Sequence, residues 1–223
     1  MSYSQRGNAF LYVLIAIILF AGLAFTLSRS GSQKDPVGSL TEGRVTIDAN
    51  NIIAYAASVS NMMSQLDVAG VSPDQLDFIL PSDAAFNTPP SDKKLFHPSG
   101  GGMNYKALPP EARADNGAGL ASGYYVGRFN NVEWTPTTAN DVIFVAHEIS
   151  QSVCKAINTK ITGSDTIPAL AGASSQDLLV DDSLHGGSNA DFMVVNCAAC
   201  DEKPALCVSS GGTYTFYSVL VAD

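Results

Sequence analysis

The sequence predicts an α+β protein: a long N-terminal hydrophobic helix, then a helix pair packed on a C-terminal antiparallel β-sheet. Three observations carry that expectation. No charged residue interrupts the run from Ala9 to Leu27. Apolar residues recur at helical spacing through Ile52, Ala56, Val59, Met63 and Leu66. The last third of the chain alternates β-branched and aromatic runs with turn residues, so that helices come first and strands last.

The first element, residues 8–28, is long enough as a helix to cross the hydrocarbon core of a bilayer. Arg6 precedes it and no acidic residue does, which holds the N-terminus in the cytoplasm and sends the rest outward. Three fates are open to this stretch. Gly22-Leu23-Ala24 offers a small-x-small site at which a signal peptidase would release the head. An uncleaved stretch would be a plain anchor. A third fate, a helix that packs against copies of itself, is served by the small surfaces of Gly22 and the alanines at 9, 16, 21 and 24.

Residues 29–43 are rich in Ser and Gly, carry a Pro and lack an apolar period, so a linker is expected, followed by a head over 44–223. The head opens on the amphipathic helix, with Asp48 as its N-cap and Gly70 just past its end. Met62 and Met63 are read as core filling. Ser72, Pro73 and Gln75 have the spacing of cap, first turn and capping-box partner for a short second helix.

From Pro81 to Asn116 the chain is dense in Pro, Gly, Asp and Ser, a length that is either functional or wrapped over a surface. "GYYVGRFNNVEWTP" reads as a hairpin about Asn130-Asn131. "DVIFVA", 141–146, is a buried strand or the start of a helix, and 147–161 reads as a helix with Ile149, Val153, Ala156 and Ile157 on one face. "ADFMVVNC", "ALCVSS" and "TYTFYSVLVAD" supply the remaining runs, the last apolar on both faces like a central strand.

Composition excludes several classes. With 46% hydrophobic and 15% charged residues the head folds rather than remaining disordered. A formal charge of −9 without a basic run rules against a nucleic-acid partner. His147-Glu148 opens like a zinc-protease motif, but no His follows four residues after His147. His97 and His185 sit in Pro/Gly-rich stretches without a ligand cluster. Gly100-Gly101-Gly102 lacks the Lys-Ser/Thr of a phosphate loop and reads as a turn. No catalytic residue, metal site or cofactor is expected.

Four cysteines, Cys154, Cys197, Cys200 and Cys207, follow an export-like segment, so two disulfides in an oxidising compartment are expected, with three connectivities open. Cys197-Ala-Ala-Cys200 is not matched by a second paired half-site for zinc.

The short polar leader "MSYSQRG", residues 1–7, ends in Gly7 directly at the apolar run. In this the chain resembles the type IV pilins and pseudopilins. The resemblance implies cleavage between Gly7 and Asn8 by a prepilin peptidase, leaving the apolar helix on the mature protein. Where that family carries Glu at the fifth mature residue, this chain has Tyr12. It further implies identical subunits as partners in a helical filament, an inner-membrane assembly machinery, and residence in the inner membrane before assembly and outside the cell after it. By the same resemblance Cys154 pairs with Cys207, leaving Cys197 with Cys200; the rival pairing, 154 with 197 and 200 with 207, is chemically reasonable because Pro204 favours a turn between the latter two.

Overall fold

The computed structural model describes residues 36–114, 119–180 and 189–222, with side chains from residue 41 onward. The chain divides into two units, Met1–Gly43 and Arg44–Asp223, and the packing below is that of the second. The elements of the described residues are helix α1 (Pro36–Val68), strand β1 (Gly123–Arg128), strand β2 (Val142–Ile149), helix α2 (Gln151–Thr162), a short helix α3 (Ser175–Leu179), and strands β3 (Ala205–Ser210) and β4 (Thr213–Val221). The four strands form one antiparallel sheet in the order β1-β2-β4-β3.

Helix α1 forms for the reason its sequence gives. Ile52, Tyr55, Ala56, Val59, Met63 and Leu66 fall on one face, each at most 7% exposed, and each large apolar side chain there contributes about 1.5–3 kcal/mol relative to exposure. The helix stops at Gly70, whose φ of +94° suits a residue without Cβ. Val71 N–H reaches back to Leu66 C=O and Gly70 N–H to Asp67 C=O, both 2.9 Å, so the last carbonyls find donors. Tyr55 carries the packing across to the sheet, its ring centroid 4.8 Å from Tyr124 and 5.8 Å from Phe144.

The sheet is covered on both faces. On one, Phe144, Ala146, Cys207 and Phe216 meet α1 and α2; on the other, Ile143, Val145, Leu206 and Tyr217 meet α3 and the loops around Phe129 and Phe192. All eight positions of β2 are buried, which is why its first five residues, 142–146, are apolar without alternation. Helix α2 follows at once, capped by the Ser150 side chain, which accepts from Val153 N–H, and ended by Gly163 at φ +80°.

The long segment after α1 wraps over the same core, burying Leu95, Phe96 and Leu108. Its hub is Lys94, 3% exposed. The ammonium donates to the carbonyls of Ala85 and Phe86 at 2.8 Å and of Thr88 at 2.5 Å, so each of its three protons has an acceptor. A Cβ on Gly100 would stand 2.3 Å from the Lys94 carbonyl oxygen, so the close return of the chain requires a glycine there.

These findings correct the expected fold class. Among the described residues no helix is long and apolar enough to cross a membrane; the hydrophobic helix expected over 8–28 lies outside the described residues. The helix pair is absent: after α1 the chain makes only a three-residue 3-10 turn, Pro73–Gln75, and Ser72 makes no side-chain cap bond. Nor do helices precede all strands, because β1 and β2 come before α2 and α3. The described part is thus one long helix and a four-stranded antiparallel sheet with two shorter helices interleaved.

Smaller expectations change with it. The 36–43 part of the expected linker is helical, and Asp48 lies inside α1, 9% exposed, rather than capping it. The hairpin about Asn130-Asn131 does not form: β1 pairs with β2, while Val132 makes an isolated bridge to Phe192. Ile149, read as helical, belongs to β2. "ADFMVVNC" forms turns rather than a strand. Each of these depends on which partner a segment finds, and local spacing cannot specify a distant partner.

Candidate functional site

Of the residues singled out at the N-terminus, Gly7, Asn8, Tyr12 and Gly22 all lie outside the described residues. The four cysteines lie within them. Cys154 on α2 is joined to Cys207 on β3 across a Cα–Cα distance of 5.5 Å, and both are fully buried. Cys197 is joined to Cys200, 5.3 Å apart. The rival connectivity is excluded by these pairs.

One helical turn beyond Cys154, on the same face, stands Asn158, also fully buried. Its amide oxygen accepts from Cys207 N–H and its amide nitrogen donates to Cys207 C=O, both at 2.8 Å. A side chain thus supplies to β3, at the sheet edge, the bonds that a neighbouring strand would have made. Two residues further on, Ser209 N–H donates to Pro168 C=O and Leu170 N–H to Ser209 C=O, at 2.9 and 2.8 Å. This edge is closed by covalent bridge, amide and loop together.

The Cys197–Cys200 bridge braces a different feature. Asn196 accepts from Met193 N–H at 3.0 Å and donates to Ala171 C=O at 2.9 Å, and Glu133 accepts from Val194 N–H at 2.6 Å. Held this way, Val195 is 76% exposed and Met193 41%. Two apolar side chains are thus presented to solvent on a tied loop.

The titratable groups read from the sequence fall elsewhere. His147 on β2 is 1% exposed; its Nδ1 lies 3.1 Å from Thr215 Oγ1, and Thr215 donates to Ser175 Oγ at 3.2 Å. Glu148 follows it at a register shift between β2 and β4, at φ +54° and 2% exposed, a bulge of the kind that re-aims a strand. The groups are sealed in the core, beyond the reach of a substrate as they stand. His97 faces the Phe86 ring at 5.0 Å and accepts from Ser99 N–H; His185 lies outside the described residues. Among the described residues no group of three or more His, Cys, Asp or Glu is placed to hold a metal ion.

Burial governs the phenols. It holds Tyr124 and Tyr217 well above the ordinary tyrosine range and pushes Tyr125 up to about 12, with Tyr105 and Glu148 adding repulsion at Tyr125.

Sequence reasoning missed Lys94 and Asn158. For Asn158 a signal existed: a polar amide four residues after Cys154 on an apolar helical face. For Lys94 none did, since Lys93-Lys94 reads as ordinary surface charge. Searches against protein-family models, curated proteins and solved structures find no match to this chain.

Proposed function

We propose that the chain is a structural subunit of a type IV pilus-like extracellular filament, held in the inner membrane by its apolar N-terminal segment before assembly. The observation that carries this reading is the polar leader ending in Gly7 immediately before the uncharged run to Leu27. Arg6 ahead of that run favours a cytoplasmic N-terminus and an exported head. Two buried disulfides support an oxidising destination.

In this reading a prepilin peptidase cuts between Gly7 and Asn8. The apolar segment then exchanges lipid contacts for contacts with identical subunits, and head-to-tail association that does not close gives an open fibre. Tyr12, where the resembled family carries an acid, leaves register to packing rather than to an intramembrane ion pair.

The exposed Met193 and Val195 favour a second reading, in which the chain is a minor pilin or pseudopilin, or another membrane-anchored binding protein, that does not polymerise alone. A major subunit is abundant in sheared surface material and a minor one is not.

The test is the intact mass and N-terminal sequence of the protein from the cell envelope and from sheared surface material, for the native chain and for Gly7→Leu. A native chain starting at Asn8, with processing lost in Gly7→Leu, supports the proposal. A start near Phe25 makes the segment a disposable signal, and an intact Met1 makes it a plain anchor; either overturns it.

A further inference from the structure

The two edges of the sheet are treated differently, and the difference specifies a ligand. The β3 edge is closed by Asn158 and residues 168–170. The β1 edge is not. Tyr124 C=O accepts from the Tyr105 hydroxyl at 3.3 Å, so it points away from β2. Because main-chain groups alternate along a strand, those of Val126 and Arg128 point the same way. Among the described residues, Val126 N–H, Val126 C=O and Arg128 N–H have no hydrogen-bond partner.

These groups face a groove of about 580 Å³ rather than open solvent. Its far wall is residues 77–83, extended over 77–80 and turning at 81–83, and anchored from behind: Asp77 N–H donates to Lys93 C=O and Leu95 N–H to Asp77 C=O, both 2.9 Å. Arg128 ties the start of that wall to the strand, donating to Pro73 and Leu76 carbonyls with its guanidinium 5.7 Å from the Phe78 ring centroid. Phe78, Ile79, Leu80, Val126 and Phe129 give the groove its apolar share, beside the polar side chains of Asp77, Ser82, Asp83 and Arg128.

We infer that this slot binds an extended peptide segment of another polypeptide, which adds to the sheet as a fifth strand beside β1. Main-chain groups left open on an edge are matched by an extended backbone. The wall selects among the sources of one. Residues 77–83 stand beside the edge, so a second folded copy cannot bring its own sheet alongside β1, whereas a single strand fills the slot. Three residues, Val126–Arg128, offer about 10 Å of open edge at about 3.3 Å per residue, which sets the stretch of the segment that pairs. Phe78, Ile79, Leu80 and Phe129 in the lining call for β-branched or apolar side chains at alternate positions. Asp77 and Asp83 in the lining and the net charge of −9 disfavour an acidic one. The inference is independent of whether the chain polymerises.

The experiment uses the full chain in detergent micelles and the blocked peptide acetyl-Val-Thr-Val-Lys-Val-amide, read by residue-resolved amide hydrogen exchange. Saturating peptide should slow exchange at Val126 and Arg128 by at least ~10-fold while Tyr125 and Gly127, already bonded to β2, stay unchanged. The same peptide N-methylated at alternate residues should give no protection. Val126→Pro should abolish binding while leaving the β1–β2 ladder formed, because the lost N–H made no ladder bond; the packing of Val126 on the core lowers the unfolding midpoint only in part. If that variant fails to fold, the N-methylated peptide decides alone. Equal protection by both peptides, or protection confined to other residues, overturns the inference. So does protection of Val126 and Arg128 that grows with protein concentration in the absence of peptide, which would assign the slot to a second copy.

Discussion

Removing the Cys154–Cys207 bridge tests how this head is held together. The bridge closes 53 residues of sequence separation and its neighbour Cys197–Cys200 closes 3. In the chain-entropy account, a loop of 53 residues restrains the unfolded chain by about 4 kcal/mol and a loop of 3 by about 1.6 kcal/mol. Cys154 and Cys207 are also fully buried, so their paired replacement by Ala leaves a small void and brings the expected loss to about 4–6 kcal/mol. That is a large part of the roughly 5–15 kcal/mol typical of a domain. Asn158 still bonds Cys207's main chain from α2, so the variant should remain folded near room temperature. Equilibrium urea unfolding is the assay. The Cys154→Ala/Cys207→Ala protein should show a much lower midpoint and a steeper denaturant dependence, since its unfolded state exposes more surface. Cys197→Ala/Cys200→Ala, whose side chains are buried as well, should lose less, about 2–4 kcal/mol. Equal losses, or a larger loss for the short bridge, would refute the claim that the long bridge acts chiefly by restraining the unfolded chain.

Three further outcomes follow from single groups. Asn158→Ala leaves Cys207 N–H and C=O buried without partners and should cost about 2–4 kcal/mol by urea unfolding; a loss under about 1 kcal/mol means water replaces the amide. Lys94→Met removes three charge-assisted hydrogen bonds, but residues 81–90 are mostly exposed and their carbonyls can rehydrate. The net loss should be about 1–3 kcal/mol, with faster proteolysis within 81–90; unchanged proteolysis would show that the ammonium does not hold that loop. Burial raises Tyr124, Tyr125 and Tyr217, Tyr125 to about 12, so the folded state keeps protons that the unfolded chain releases near pH 10. Their stabilisation is complete below pH 10 and lost as pH rises towards 12. Phenolate absorbance and circular dichroism followed together should show these phenols ionising only as structure is lost; ionisation near pH 10 in an intact fold would contradict it.

Residues whose neighbours are local were readable in advance. The apolar stripe of α1 and its stop at Gly70 follow from a 3.6-residue period and a positive φ, both properties of a few consecutive residues. Cys154 on a helix and "TYTFYSVLV" as a doubly covered strand were readable for the same reason. The short second helix was misread because Ser72-Pro73-Asp74-Gln75 carries the signals of a helix start, yet the chain turns out to run extended from Leu76 and pairs Asp77 with residues 93–95. The hairpin about Asn130-Asn131 was misread because two apolar runs beside a turn fit each other locally, while in the fold β1 pairs with β2 and Val132 bridges Phe192.

What the sequence by itself determined is an uncharged apolar run from Ala9 to Leu27 directly after Gly7 and Asn8, a net acidic chain with apolar residues enough to bury a core, and four cysteines in its second half. These rest on composition and on order along the chain. The tertiary structure alone decided the strand order β1-β2-β4-β3, the burial of Lys94 in a cage of carbonyls, and the closing of one sheet edge by Asn158 while the other stays open. Each of those joins residues far apart in sequence, and its energy depends on main-chain groups that every residue carries alike, so only the folded geometry distinguishes the pairs that form.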